Sequence, residues 1–454
     1  MVLEQNPRKC VLSNDCPRSP LPDAPTPTTK TRRRGPRDGR VNFAVVASGD
    51  SISDFAVNPG DQLGIYISIP FCRSKCTYCN FASGVFPAGE HARYVQRLLD
   101  EMRGTRKWSE NMGVELPREV DTIYLGGGTP SLLEPHLITE LFTAIRGEFA
   151  VQSDAEITVE CAPGQIADPT LAALAGAGVN RVSLGVQSFI DREAQQSGRL
   201  HNRAVVLDDL KRLHAAGIAN LNIDLIAGLA GQTLASWQDS VKALIETGVP
   251  HASVYMLEVD EESRLGREML KGGARYHADL VPSDETIARM YESAIEWLAA
   301  AGILQYEISN FARPGFESRH NLRYWRRRPY LGLGLDASSM LREAQSGYVL
   351  RSNTTDDLKA CIEGSQPPET AWLSLERQHE EAWFLGLRLN HGVSVTELRA
   401  EFGEGPVARA LESVGGLVDR GLLIGDGERV CLTAQGRLLS NDVFQEFLRV
   451  RARR

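Results

Sequence analysis

From Leu63 onward, short apolar runs alternate with amphipathic stretches, and this alternation limits the fold more than any other feature. The runs "GIYISIP", "VDTIYLG", "EITVEC", "RVSLGV", "LNIDLI" and "ASVYML" are rich in Ile, Val, Leu and Tyr and read as buried strands. Between them, "ARYVQRLLDEMRG", "RAVVLDDLKRLHAAG" and "LASWQDSVKALIETG" read as helices, several closing at Gly. At least five βα repeats in a row require parallel strands joined by right-handed crossovers. The expected class is α/β, with a complete or partial (β/α) barrel preferred to an open doubly wound sheet. In either fold the site lies at the C-terminal ends of the strands. The unusual residues of this chain cluster just after the strands.

The rest of the chain divides by pattern. Residues 1–60 are rich in Pro, Thr, Arg and Asp and read as a disordered extension, because such a segment buries too little apolar surface to offset its ordering entropy. Its basic run at Arg32, Arg33 and Arg34 reads as a solvated tail rather than a nucleic-acid patch. Cys10 and Cys16 lie there at a spacing that matches no metal site. Residues 61–284 form the expected barrel core, and 285–377 complete it and carry "RHNLRYWRRR". From 378 to 454 a helical cluster is followed by "LLIGDGERVCLT", with Asp-Gly as a hairpin turn, which suggests a winged-helix-like module.

Charge and hydropathy exclude several classes. The 454 residues carry 50 Lys and Arg against 58 Asp and Glu, a net charge of −8, so no nucleic-acid partner is expected. No stretch approaches the ~18 consecutive apolar residues of a membrane helix, and no apolar segment near the start reads as a secretory signal. A cytoplasmic location is expected. Eight Cys in a chain this long do not read as a disulfide scaffold.

Three of those cysteines, Cys72, Cys76 and Cys79, fall in "FCRSKCTYCN" as C-x3-C-x2-C, directly after the first strand. A full [4Fe-4S] cage takes four thiolates. Three leave one iron open for a cosubstrate, as a catalytic zinc site keeps an open position. S-adenosylmethionine can chelate such an iron through its amino and carboxylate groups, after which one electron cleaves the sulfonium. The competing readings are a zinc loop with a distant fourth ligand, or three incidental buried cysteines. Zinc loops more often show paired C-x2-C elements, and no second pair occurs here.

Further polar residues follow the later strands. "LGGGTP" supplies Gly126, Gly127, Gly128 and Thr129, where the backbone can approach a ligand closely or simply turn. Glu160 ends the third strand, either solvated or paired with a ligand ammonium. Gln187 follows the fourth strand, and Arg199 lies in "SGRLHN". Asp224 sits between Ile and Leu in the fifth strand, where a carboxylate is costly unless paired; an ion pair with Arg199 is one reading, compatible with a cofactor contact as the other. Strand alternation puts Tyr66 on the face opposite Ile65, Ile67 and Ile69. The isoleucine face suits packing under helices, so Tyr66 is expected to point into the barrel.

Taken together, "GIYISIPFC", "CRSKCTYC", "LGGGTP", "GVQSF", "GRLHN" and "NIDLIAGL" resemble the radical S-adenosylmethionine branch containing oxygen-independent coproporphyrinogen III oxidase (HemN) and the haem chaperone HemW. The resemblance runs from about Leu63 to the C-terminus. It implies a radical SAM barrel with a [4Fe-4S] cluster on Cys72, Cys76 and Cys79. It also implies S-adenosylmethionine contacts at Tyr66, Gly127 and Glu160 for one molecule, and at Tyr78, Gly128, Thr129, Gln187, Arg199 and Asp224 for a second. The oxidase carries a further Cys two residues beyond the third, where this chain has Phe81. The chain therefore resembles the HemW subfamily, as does H-N-x-x-Y-W, present as His320, Asn321, Tyr324 and Trp325. That motif is associated with haem. An imidazole can ligate the iron, aromatic faces can cover the macrocycle, and nearby Arg side chains can pair with propionates. Alternatively its aromatics pack on the barrel and its Arg residues are solvated. The implied partners are haem, an apo-haemoprotein recipient and a reducing electron donor. The competing activity is oxidative decarboxylation of coproporphyrinogen III.

Overall fold

The computed structural model describes residues 62–448, save 259, 344 and 345. The N-terminal extension, with Cys10, Cys16 and Arg32–Arg34, lies outside the described residues. The six apolar runs are β1 (Leu63–Ile69), β2 (Glu119–Gly127), β3 (Ala150–Cys161), β4 (Arg181–Gln187), β5 (Asn220–Ala227) and β6 (His251–Met256). Between them lie α1 (Gly89–Met112), α2 (Pro135–Glu148), α3 (Asp168–Gly176), α4 (Asp191–Gln196), α5 (Arg203–Ala215) and α6 (Leu234–Glu246). The strands pair in parallel in chain order.

After β6 come α7 (Arg264–Leu270), a 3-10 turn (Arg275–Leu280), α8 (Asp284–Ala300), β7 (Leu304–Gln305), β8 (Asn310–Ala312) and α9 (Arg319–Trp325). Strand β9 (Tyr330–Gly334) then pairs in parallel with β1 on the edge opposite β6. Strands β10 (Ser338–Arg342), β11 (Val349–Asn353) and, after α10 (Leu358–Glu363), β12 (Glu369–Leu373) extend that edge antiparallel. The resulting 12-stranded sheet runs β12-β11-β10-β9-β1-β2-β3-β4-β5-β6-β8-β7 and does not close on itself. This is a partial barrel.

Period-two alternation gives the sheet two different faces. Ile65, Ile67, Ile123, Val159, Val182, Leu184, Leu221 and Ile223 are fully buried under the helices in one continuous core. Each such side chain contributes about 1.5–3 kcal/mol by leaving water. The inner face is polar: Tyr66, Thr122, Tyr124, Glu156, Thr158, Glu160, Arg181, Ser183, Asn222, Asp224, His251 and Ser253 alternate with the apolar set. Most of these groups are hydrogen-bonded, which adds little net stability, while Thr158 Oγ1 and Arg181 Nε are buried without a partner.

The C-terminal module consists of α11 (Leu375–Gly386), β13 (Val393–Ser394), α12 (Val395–Phe402), α13 (Glu404–Asp419), the hairpin β14 (Leu423–Gly425) and β15 (Arg429–Leu432), α14 (Ala434–Leu438) and α15 (Ser440–Leu448). The hairpin turns at Asp426–Gly427, where Gly427 takes φ 92°. A second core, centred on Trp383 stacked on Phe447 at 5.0 Å, fills the module. It also takes in Ile308 and Trp325 from the barrel side.

Candidate metal and cosubstrate site

Pro70 ends β1, and the chain turns through Cys72, Cys76 and Cys79 at the C-terminal end of that strand. Backbone bonds fix the loop: Cys72 N–H donates to Gly84 O (2.8 Å), Gly84 N–H to Pro70 O (2.9 Å) and Thr77 N–H to Ser197 O (3.0 Å). The Lys75 ammonium donates to the carbonyls of Phe81 (2.6 Å) and Ser83 (2.7 Å). The three thiols are free and partly exposed, and all three line one open cavity of about 910 Å³.

The later strands deliver the rest of that wall. Tyr78, Gly127, Gly128 and Thr129 line it, as do Glu160, Gln187, Arg199 and Asp224. The glycines allow close approach. A Cβ on Gly128 would lie 2.6 Å from Ile69 O and 2.8 Å from Phe71 O. Gly127 takes φ 94°, and a Cβ there would meet Ser68 Oγ at 2.7 Å. Glu160 accepts from Tyr124 Oη (2.8 Å); burial first, then the charge of Asp224, push its carboxyl up to about 7.

Of the two readings of Asp224, the direct ion pair with Arg199 is not formed. The Arg199 guanidinium donates to Tyr78 Oη at 2.9 and 3.2 Å. Asp224 instead accepts from Asn222 Nδ2 (2.7 Å) and Ser183 Oγ (3.2 Å). Coulombic attraction still couples the two charges, and Arg199 stays firmly cationic. Asn222, Ser183 and Ser253 were missed as supports of the site. Their signal was present: polar residues at the inward positions of strands whose outward positions are apolar. Asn222 in turn bonds His251 Nδ1 (2.6 Å), whose Nε2 meets Tyr306 Oη (2.9 Å). Burial and the nearby Arg181 hold that imidazole neutral.

Tyr66 points inward, as alternation predicts. It lines a second cavity of about 510 Å³ with Ser68, Tyr324 and Tyr330. Gly127 and Phe81 belong to both walls, so the two cavities adjoin.

The HNLRYW segment forms α9, and most of its side chains make contacts inside the molecule, although Trp325 Nε1 is buried without a hydrogen-bond partner. Glu156 on β3 accepts the N–H groups of Arg319 and His320, each at 3.0 Å, holding the helix start. His320 is fully buried, with Nδ1 bonded to Thr122 Oγ1 (3.0 Å) and Nε2 to Tyr324 Oη (2.8 Å). Its ring stacks on Tyr124, and Tyr324 meets Tyr330 edge-on at 4.7 Å. Trp325 is buried in the C-terminal core under Arg388, 4.3 Å from its ring, while Asn321 stays partly exposed. Arg323 forms a buried ion pair with Asp121, and Arg327 is bidentate with Glu401 (2.6 and 2.9 Å). The imidazole, the aromatic faces and these guanidiniums, expected to face a macrocycle, are thus engaged within the chain.

Residues 66–244 match the radical SAM superfamily, and residues 373–439 match the HemN C-terminal domain. The heme chaperone HemW of Lactococcus lactis is 36% identical over 383 residues, covering 84% of this chain and 96% of the relative. The heme chaperone HemW of Bacillus subtilis is 35% identical over 384 residues, covering 84% and 98%. The chain belongs to the HemW family. The solved structure of Escherichia coli coproporphyrinogen III oxidase (HemN) matches with a TM-score of 0.73 at 23% identity, covering 87% of this chain and 92% of that one. That likeness shows a common fold.

For a HemW-family chain the superfamily implies a [4Fe-4S] cluster and S-adenosylmethionine, and the residues fit both. Three thiols border the larger cavity. Two amide oxygens associated with its wall, Gln165 Oε1 and Gln187 Oε1, are buried without a hydrogen-bond partner. Gln187 also holds φ 70°, a conformation that L side chains rarely adopt and that functional sites concentrate. Glu160 and Asp224 opposite Arg199 complement a zwitterionic amino acid.

Proposed function

We propose that this chain is a haem chaperone that binds a [4Fe-4S] cluster, S-adenosylmethionine and haem, and passes haem to an apo-haemoprotein. The observation that carries the reading is Phe81, which lines both cavities. The oxidase subfamily has a thiol at this position; here an aromatic ring closes the boundary. Cys72, Cys76 and Cys79 would hold three irons. When bound, the cluster and S-adenosylmethionine supply one-electron chemistry.

This chain's own residues bind and orient. Glu160 takes the amino group of one S-adenosylmethionine, and Arg199 the carboxylate of a second. The Gly127–Thr129 backbone sets the approach, while Gln187 and Asp224 offer acceptors to hydroxyls or amines. Tyr66 and Tyr324 form the floor of the adjoining cavity. The HNLRYW helix acts on haem binding only indirectly, by positioning Tyr324 and joining the barrel to the C-terminal module. Residues 61–284, 285–377 and 378–454 act as core, completion and packing module. A reducing electron donor serves the cluster, and the chain works in the cytoplasm; no helix among the described residues is long and apolar enough to cross a membrane.

The test is anaerobic reconstitution followed by two assays in parallel: a haem titration by absorbance, and coproporphyrinogen turnover by chromatography. The reading requires haem uptake without turnover. Turnover without haem affinity reverses it in favour of the oxidase.

A further inference from the structure

Two side chains on the wall of the cysteine-loop cavity have no task in the account so far. Gln165 lies on the loop between β3 and α3 and lines that wall. Its side-chain amide makes no hydrogen bond among the described residues, yet its Oε1 is buried. A buried amide oxygen without a donor costs free energy, so its place on a cavity wall points to a donor that the chain itself does not supply. Leu200 lies on the loop between α4 and α5 and lines the same cavity, 60% exposed. An exposed leucine beside a largely polar wall offers an apolar face to a bound ring.

Both loops are held in place. Gly164 N–H donates to Asp209 Oδ2 on α5 (2.6 Å), and Arg212 on the same helix donates to Ile166 O (2.7 Å). Gly164 takes φ 75°, and a Cβ there would meet Val205 Cγ1 at 2.9 Å. Gln165 N–H closes a turn onto Ala162 O (3.1 Å). The Gln165 loop is thereby clamped to α5, the helix that starts just beyond Leu200. Leu200 itself stands between two anchored neighbours. Arg199 turns inward to Tyr78 Oη (2.9 Å), and buried His201 meets Val186 O through Nε2 (3.2 Å). The two loops follow adjacent strands, β3 and β4, so the amide and the leucine belong to one side of the cavity.

We propose that Gln165 and Leu200 form the adenine subsite of the S-adenosylmethionine whose carboxylate Arg199 takes. A carboxamide is complementary to an adenine edge: its oxygen accepts from the 6-amino group while its nitrogen donates to the adjacent ring nitrogen. Leu200 covers the face of the base. Arg199 and Leu200 are consecutive and turn opposite ways, so one short loop serves the two ends of an extended cosubstrate. The proposal rests on the reading that a second S-adenosylmethionine binds in this cavity. It concerns recognition only; no bond is made or broken.

The test is calorimetry on the full chain, reconstituted anaerobically, with S-adenosylmethionine and with its analogue in which hydrogen replaces the 6-amino group. The wild type should bind two equivalents of S-adenosylmethionine, and one of the two sites should bind the analogue about tenfold more weakly. Gln165→Leu should lose about tenfold for S-adenosylmethionine at that site and no longer distinguish the two ligands. Leu200→Ser should weaken both ligands alike, by about fivefold. Gln165 makes no side-chain hydrogen bond and Leu200 is mostly solvated, so cluster absorbance and thermal unfolding should match the wild type in both variants. A Gln165→Leu chain that still prefers S-adenosylmethionine, or that binds both ligands as the wild type does, overturns the assignment. So does a Leu200→Ser chain of wild-type affinity for both. A wild type that binds one equivalent or none removes the second-cosubstrate reading itself, a result distinct from those.

Discussion

The cysteine-loop cavity and the HNLRYW helix are both dense in polar and aromatic groups, yet they differ in what those groups are doing. Around the cavity, thiols are partly exposed, amide oxygens are buried without partners, and Gln187 sits in a rare backbone conformation. Along α9, both imidazole nitrogens are bonded and Arg323 is ion-paired with Asp121, while Trp325 Nε1 is buried without a partner inside the C-terminal core. Unpartnered acceptors on a cavity wall mark where a ligand belongs, and the bonded groups of α9 mark a joint. A motif of chemically capable residues can therefore be structural in much of its geometry.

The sharpest way to separate the two regions is to remove a group from each. Cys76→Ser should abolish the visible absorbance of the reconstituted protein entirely while far-ultraviolet circular dichroism stays native, since Cys76 is only partly buried at the edge of a small cluster. Unfolding of that variant would make the cysteine loop structural. Arg323→Met leaves buried Asp121 with only the more distant, half-exposed Arg319 (3.8 Å) and should cost about 2–3 kcal/mol in denaturant unfolding. A loss below about 1 kcal/mol would mean that α9 is not the joint described.

His320→Ala removes two buried hydrogen bonds and should cost about 1–3 kcal/mol. Its haem titration should stay within about twofold of wild type. Loss of haem binding at unchanged stability would return the imidazole to the role of ligand.

The smallest effect is a pH dependence. Glu160 must ionise to accept from the cosubstrate amino group, and its carboxyl is pushed up to about 7 by burial and Asp224. Cosubstrate affinity, followed by calorimetry, should fall about tenfold per pH unit below that value and level off above it. The linkage to stability has the opposite sign. The folded apo-protein holds this proton more tightly than the unfolded chain, whose Glu titrates near about 4.3. Apo stability from this group therefore declines as pH rises from about 4.3 to about 7. Glu160→Gln should flatten both curves.

The parallel order of the six strands was legible because apolar runs with helical spacers leave few other topologies. The three cysteines were legible because their ligand spacing is local in the chain. The facing of Tyr66 followed from the isoleucines on either side of it. Less accessible was the partner of Asp224: Asn222 lies two residues away on the same face, but Ser183 and Ser253 come from neighbouring strands, and register is not written in composition. The burial of His320 was equally hidden. Its stacking partner Tyr124 and its helix anchor Glu156 are more than 160 residues distant in the chain.

The most direct test of the central claim is iron and acid-labile sulfide analysis of the anaerobically reconstituted chain, with electron paramagnetic resonance of the reduced protein before and after adding S-adenosylmethionine. The account predicts about four irons and four sulfides per chain, and a spectrum that changes when the cosubstrate is added. Zinc in place of iron, absence of sulfide, or a spectrum indifferent to the cosubstrate would contradict it.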